Sequence, residues 1–209
     1  MENSSGDLEL WQAFKKGDEL AFSQIYGRYI KVLYKYGQKV SSDTKVVEDA
    51  IQDLFVDIWN SRSNLTDPES VKYYLMRILR RKISRNLEYP NKTEQLNEFD
   101  PDQILNTESI ESEMVRIEGD DLMSRKIQNA ILHLSSRQQE AINLRYFHNF
   151  SHNQIAEIMD ISLQSVHNTL QKAMKGLRDL LPLYPGGLIL FFYFFESELK
   201  NWLFKASFM

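Results

Sequence analysis

Along residues 8–40 apolar side chains return every three or four positions: Leu10, Phe14, Ala21, Phe22, Ile25, Tyr29, Val32, Leu33 and Tyr36. That spacing is the one-sided repeat of an amphipathic helix. It is interrupted at "KKGDE" (15–19), so two helices are predicted, with 41–43 opening a third. From Thr44, "TKVVEDAIQDLFVDIW" puts Val47, Ala50, Ile51, Leu54, Phe55 and Ile58 on one side, a wide apolar stripe. The other side carries Glu48, Asp49, Gln52, Asp53 and Asp57. It is either the solvated face of a core helix or an acidic docking surface, and the helix alone does not decide. "NSRSNLTDPES" (60–70) is polar, with Asp67–Pro68 as turn chemistry, and predicts a loop. "VKYYLMRILRRKISRNL" (71–87) resumes a helix whose buried stripe is Val71, Tyr74, Leu75, Ile78, Leu79 and Ile83.

Periodicity lapses over 93–121, which reads as a linker, and returns with Ile127, Ala130, Ile131 and Leu134. In "LSSRQQEAINLRYF", Ser135 with Gln138, or Ser136 with Gln139, makes a capping box, where hydroxyl and amide satisfy orphan backbone groups reciprocally. "SHNQ" (151–154) repeats it. Ser151 then caps a helix with Ile155, Ala156, Ile158 and Met159, Asp160–Ile161–Ser162 turns, and Ser162 caps a second helix. There Val166, Leu170, Ala173, Leu177 and Leu180 face inward, while Gln164, Ser165, His167, Asn168, Gln171, Lys172 and Lys175 fall outward. This is the layout of a helix-turn-helix, whose second helix reads the major groove. Gln and Asn pair bidentately with adenine, each good pair discriminating by ~1–3 kcal/mol. The same spacing also suits a three-helix bundle with a polar outer face. Asp160 stands where such corners usually carry Gly, and Asp tolerates a left-handed backbone better than most residues.

With 8 Gly and 5 Pro and little strand-like alternation, the chain is expected to be all-α. Its 43% apolar and 26% charged residues are ordinary for a folded soluble protein. Without cysteine there is no disulfide or thiolate chemistry, which fits a reducing cytoplasm. The acidic, polar N-terminus is no secretory signal, and no uninterrupted apolar run reaches the length of a spanning helix.

The net charge of −4 is unusual for a DNA reader, but its distribution explains it. Between Glu69 and Lys92 seven basic residues stand against two acidic ones. From Thr93 to Asp121 ten acidic residues stand against Arg116 alone. Within Lys72–Asn86 no acidic residue offsets Arg77, Arg80, Arg81, Lys82 and Arg85, and Tyr73 and Tyr74 lie among them. Cations beside rings suit melted or single-stranded nucleic acid, holding phosphates and stacking on exposed bases. His148 and His152 are four apart, but Asn149–Ser151 breaks the helix between them and no carboxylate cluster joins. They read as surface histidines; neither a metal site nor an enzyme is expected, and no cofactor.

The stretch 134–181, from "LSSRQQEAINLRYF" to "LQKAMKGLRDLL", resembles the promoter-reading domain of bacterial sigma factors of the small extracytoplasmic-function group. "VVEDAIQDLFVDIW" (46–59) resembles their polymerase-docking helix, and 71–87 the helix that opens the −10 element. The similarity spans roughly residues 8–182, and the "SHNQIAEIM" pattern is most similar to members from Bacteroidetes.

The resemblance implies a promoter-specificity subunit. Asp49, Gln52 and Asp53 would dock on the clamp coiled coil of the largest subunit of RNA polymerase core. Arg62, Ser63 and Asn64 would lie where a flipped −10 base is captured, with Tyr73, Tyr74, Arg77, Arg80 and Arg81 on the melting helix. Tyr74 replaces the usual Trp and Arg81 the usual Asn. Gln164, Ser165, His167, Asn168, Gln171 and Lys172 would read the −35 promoter DNA. Further partners implied are the flap of the second-largest subunit and an anti-sigma factor. The alternative is a stand-alone helix-turn-helix regulator that binds DNA as a dimer.

The expected organisation is two small helical domains joined by an acidic linker: 1–92 for docking and −10 melting, 93–121 as linker, and 122–182 as helix-turn-helix. An apolar tail, 183–209, follows. Leu188–Phe195 is a run of eight apolar residues, only ~12 Å of helix. Three roles stay open for it: packing on a domain, binding a partner such as a membrane-embedded anti-sigma factor, or touching a membrane surface.

Overall fold

The computed structural model describes residues 4–88 and 128–180, with no strand among them. The first unit holds α1 (Ser4–Lys15), α2 (Glu19–Val40), α3 (Thr44–Asn60) and α4 (Val71–Glu88). The second holds a helical stretch at 128–132, α5 (Ser136–Ile142), α6 (His152–Met159) and α7 (Leu163–Leu180).

Short polar residues set the helix starts. Asp18 accepts from the backbone N–H groups of Leu20 and Ala21, and Asp43 from those of Lys45 and Val46. Each thereby satisfies donors that a helix N-terminus leaves orphaned. Between α1 and α2 the chain reverses at Gly17, whose φ of +93° is open to glycine at little cost. Gly37 has a different reason to lack a side chain. A Cβ there would stand 2.5 Å from Val47 Cγ1, so its absence lets α2 and α3 close up.

All six apolar residues expected on the inner face of α3 are buried. On α4 the outcome differs: Val71, Leu75, Met76, Leu79 and Ile83 are buried, whereas Tyr74 and Ile78 are only partly covered. Met76 takes part because α4 packs against the second unit as well as the first, which widens its buried sector. Trp11 is fully buried beside Phe14, edge-on to Tyr74 with ring centroids 5.3 Å apart. Its Nε1 donates to the Thr66 carbonyl at 3.2 Å, tying the 61–70 loop to α1.

In the second unit both capping boxes form, Ser135 with Gln138 and Ser151 with Gln154. After Ile142 the helix loosens into a π-turn, Asn143–Phe147, before the break. Asp160 takes the left-handed conformation (φ 52°, ψ 53°), and the Ser162 hydroxyl accepts from the Ser165 N–H. Val166, Leu170, Ala173 and Leu177 are buried as expected. Leu180 is not: it is 45% exposed, because no described residue covers the end of α7.

The two units touch directly. α4 lies along α6, and α2 meets α5, so their buried residues run into one core. The acidic segment 93–121 and the apolar tail lie outside the described residues.

Candidate nucleic-acid interface

Asp49, Gln52, Asp53 and Val56 recur at helical spacing along the outer side of α3, away from the second unit. Asp49, Gln52 and Asp53 are partly buried, and Val56 is 51% exposed. Among the described residues no ion pair engages Asp49 or Asp53. Asp57 belongs elsewhere: it receives a 2.6 Å bond from Lys82 Nζ on α4. Burial, reinforced by the neighbouring Asp49, raises the pKa of Glu48.

The loop after α3 begins with a 3-10 turn, Arg62–Asn64. Ser63 and Asn64 are exposed. Arg62 is held back: its guanidinium lies 4.5 Å from the centre of the Trp59 ring and donates to the Trp59 carbonyl at 2.8 Å.

The −10 candidates on α4 are brought to one side of the first unit, but most are already engaged. Arg80 Nε donates to Glu140 Oε1 at 2.7 Å, and the Tyr36 hydroxyl donates to the same oxygen at 2.9 Å. Glu140 is one of only two buried polar or charged residues among those described. Arg80 also donates to the Ser84 hydroxyl. Burial opposes the Arg80 charge, but Glu140, Tyr36 and Asp160 outweigh it and its pKa rises. For Tyr36, burial and then the Glu140 charge push the hydroxyl well above its ordinary pKa. One turn away, Tyr73 donates to Glu157 at 2.6 Å and Arg77 pairs with Glu157 at 3.0 Å. Burial, then that hydrogen bond, take the Tyr73 pKa to about 12. Tyr74 turns toward Trp11, leaving Arg81 exposed.

The sequence had left these cations unbalanced within their own helix. The structure corrects that: Asp57, Glu140 and Glu157, from three other helices, supply the missing carboxylates. They are far away in sequence, so no local count of charge finds them.

On α7, Gln164, His167, Asn168, Gln171 and Lys172 are exposed, and Ser165 is partly so. Gln164 Nε2 donates to Asn168 Oδ1 at 3.1 Å, which orients both amides. This face takes no part in the packing of α4 on α6.

The histidines depart from expectation. His148 is no surface residue: its ring packs between Tyr36 (centroids 6.4 Å) and Phe150 (5.9 Å). Its Nδ1 is inaccessible and has no hydrogen-bond partner among the described residues. Burial, with Lys72 adding to it, drags its pKa down to about 3. His152, at the start of α6, meets His167 edge-on with ring centroids 4.4 Å apart. Burial, then His167 and Arg145, lower the His152 pKa.

Such a constellation defines a helix-turn-helix DNA-binding protein with a second helical unit attached. Residues 25–90 match the family "Sigma-70 region 2" and residues 124–177 match "Sigma-70, region 4". The chain is 25% identical over 169 residues to RNA polymerase sigma factor YlaC of Bacillus subtilis, covering 76% of this chain and 90% of that one. It is 24% identical over 157 residues to sigma factor SigZ of the same organism, covering 75% and 85%. The fold is similar to CnrH, solved with the cytosolic domain of CnrY, at 18% identity and a TM-score of 0.51 over 83% of this chain and 96% of that one. It is likewise similar to RpoE of Bartonella quintana, solved with the anti-sigma factor NepR, at 20% identity and a TM-score of 0.50 over 78% and 98%. The chain belongs to the sigma-70 family, in its extracytoplasmic-function group, and is an RNA polymerase sigma factor.

Proposed function

We propose that three separate faces divide the work of promoter recognition. Asp49, Gln52 and Asp53 on α3 dock on the basic clamp coiled coil of core polymerase, with Val56 adding an apolar contact. The amides and Lys172 of α7 read the −35 duplex, in contact with phosphates and base edges. The cations and rings of α4, with Ser63 and Asn64, hold the −10 strand once it is melted. The protein acts by binding and positioning, with no covalent step of its own.

The observation that carries this reading is the isolation of the α3 stripe. Its carboxylates are unpaired among the described residues and lie apart from both DNA faces, as a surface for a second macromolecule requires. A stand-alone regulator has no use for it. Replacing Asp49→Arg and Asp53→Arg tests the reading: the variant should elute apart from core polymerase on a sizing column while still binding a −35 duplex. Co-elution equal to the parent chain would refute it.

Partners beyond core polymerase follow by similarity. CnrH and RpoE were each solved with a binding protein, NepR being an anti-sigma factor. An anti-sigma factor is accordingly the regulatory partner proposed here, and residues 183–209 are a candidate contact for it. No helix among the described residues is long and apolar enough to cross a membrane.

A further inference from the structure

His152 and His167 belong to different helices, yet their rings meet edge-on with centres 4.4 Å apart where α6 begins beside α7. Ser151, the cap of α6, sets His152 at the first position of that helix. On α7 Val166 is buried, and the next residue, His167, is exposed on the reading face. The neighbour of His152 is thus His167 and not His148, whose ring is held between Tyr36 and Phe150. Among the described residues no third histidine or carboxylate joins the pair.

We propose that His152 and His167 form a two-imidazole site for a divalent transition-metal ion, Cu2+ or Ni2+ in preference to Zn2+. Imidazole nitrogen is a suitable ligand for all three. With metal–nitrogen bonds of ~2.0–2.1 Å, each ring centre stands about 3.2 Å from the ion, so two rings at a right angle have centres about 4.5 Å apart. A tetrahedral angle, which Zn2+ favours, needs about 5.2 Å. The observed 4.4 Å fits the right angle of a tetragonal or octahedral ion. Turning each imidazole about its Cβ–Cγ bond aims a nitrogen at the ion and leaves the ring centre almost in place. Burial, then His167 and Arg145, lower the His152 pKa, which keeps that ring neutral and able to coordinate. The Arg145 charge opposes a cation, but its guanidinium is held by the Phe150 carbonyl at 3.1 Å. The remaining coordination positions go to water. An ion held here takes the His167 nitrogen that a base edge would otherwise meet. This consequence, unlike the site itself, rests on the assignment of α7 to the −35 duplex. Loading should therefore blunt the preference among −35 sequences, while contacts to phosphate, which carry no sequence information, persist.

The full chain is titrated with CuCl2, NiCl2 and ZnCl2 by isothermal calorimetry in a buffer that does not coordinate metals. One ion should bind per chain, Cu2+ most tightly, then Ni2+, then Zn2+. His152→Ala and His167→Ala should each weaken binding by more than about tenfold, because a single imidazole lacks the effective concentration of the second. His133→Ala should leave it unchanged. Paramagnetic resonance of the Cu2+ form should show two coupled nitrogens in the parent and one after either substitution in the pair.

No bound ion, a single coupled nitrogen in the parent, or affinity unchanged in the two variants would overturn the site and leave an adventitious ion only. Tighter binding of Zn2+ than of Ni2+ would overturn the right-angle geometry. The effect on DNA is read on a panel of −35 duplexes with and without NiCl2. The spread of affinities should narrow about fivefold in the parent and stay as it was in His152→Ala, which keeps His167 but loses the ion. Narrowing that persists in His152→Ala, or none in a parent chain that binds the ion, would overturn the effect on reading. A chain that binds the ion but prefers no duplex even without it contradicts the −35 assignment of α7 and leaves the ion site standing.

Discussion

Arg80 and Glu140, 60 positions apart in sequence, meet at 2.7 Å in a buried contact that joins the first helical unit to the second. Tyr36 donates to the same carboxylate oxygen at 2.9 Å, so one Glu140 oxygen satisfies two donors. Such a pair specifies one docking arrangement more than it stabilises it, because desolvating two charges offsets much of their attraction.

Removing one partner is therefore worse than removing both. Glu140→Leu should cost ~3–5 kcal/mol of the folded chain's stability, and adding Arg80→Met should restore a large part of it. Urea denaturation of the two variants and the parent checks this. Equal losses for the single and double variants would mean that the charge pair is not what couples the units.

His148 gives the folded chain a pH dependence. Its imidazole is packed between Tyr36 and Phe150 and faces the Lys72 charge, and its pKa is about 3 against an ordinary 6.5. The unfolded chain takes up the proton more readily, so the contribution is whole above about pH 6.5 and is lost as pH falls toward 3. Each unit of pH below 6.5 should cost about 1.4 kcal/mol. Thermal melts from pH 7 to 5.5, above the range where ordinary carboxylates titrate, should show this slope in the parent and not in His148→Phe. A parallel slope in the variant would assign it to other groups.

Gly37 tests the approach of α2 to α3. Gly37→Ala places a Cβ 2.5 Å from Val47 Cγ1 and should destabilise by ~1–3 kcal/mol through overpacking. Val47→Ala in the same chain should relieve part of that loss. Denaturant midpoints for the two variants and their combination measure the coupling; strict additivity would show that the helices do not meet there.

Much of this was legible from the chain because it is local. The six buried residues of α3 follow from spacing alone, since that helix offers the core a single face. The boxes Ser135/Gln138 and Ser151/Gln154 and the left-handed Asp160 depend on neighbours two to five residues away, so motif and structure agree. The engagement of α4 was not legible. Arg80, Arg77 and Lys82 look unpaired in sequence because Glu140, Glu157 and Asp57 arrive from other helices. His148 read as a surface histidine for the same reason: its burial depends on Tyr36, from a helix more than a hundred positions earlier. Trp11 was passed over because its partners, Tyr74 and Thr66, lie in a distant helix and loop.

On α7 the outward residues should separate by role. Gln164→Ala or Asn168→Ala should relax base preference at one −35 position by ~1–3 kcal/mol, while Lys172→Ala weakens all duplexes about equally and lowers the salt slope by about one. Competition binding across a set of −35 sequences at several salt concentrations separates the two patterns. Uniform weakening by all three variants would argue against base reading by this helix.

Run-off transcription in vitro, with core polymerase and a promoter template, is the most direct check of the central claim. The parent chain should start transcripts at one position, and Asp49→Arg with Asp53→Arg should abolish them while −35 binding persists. Unchanged transcription by that variant, or none by the parent, would contradict the account.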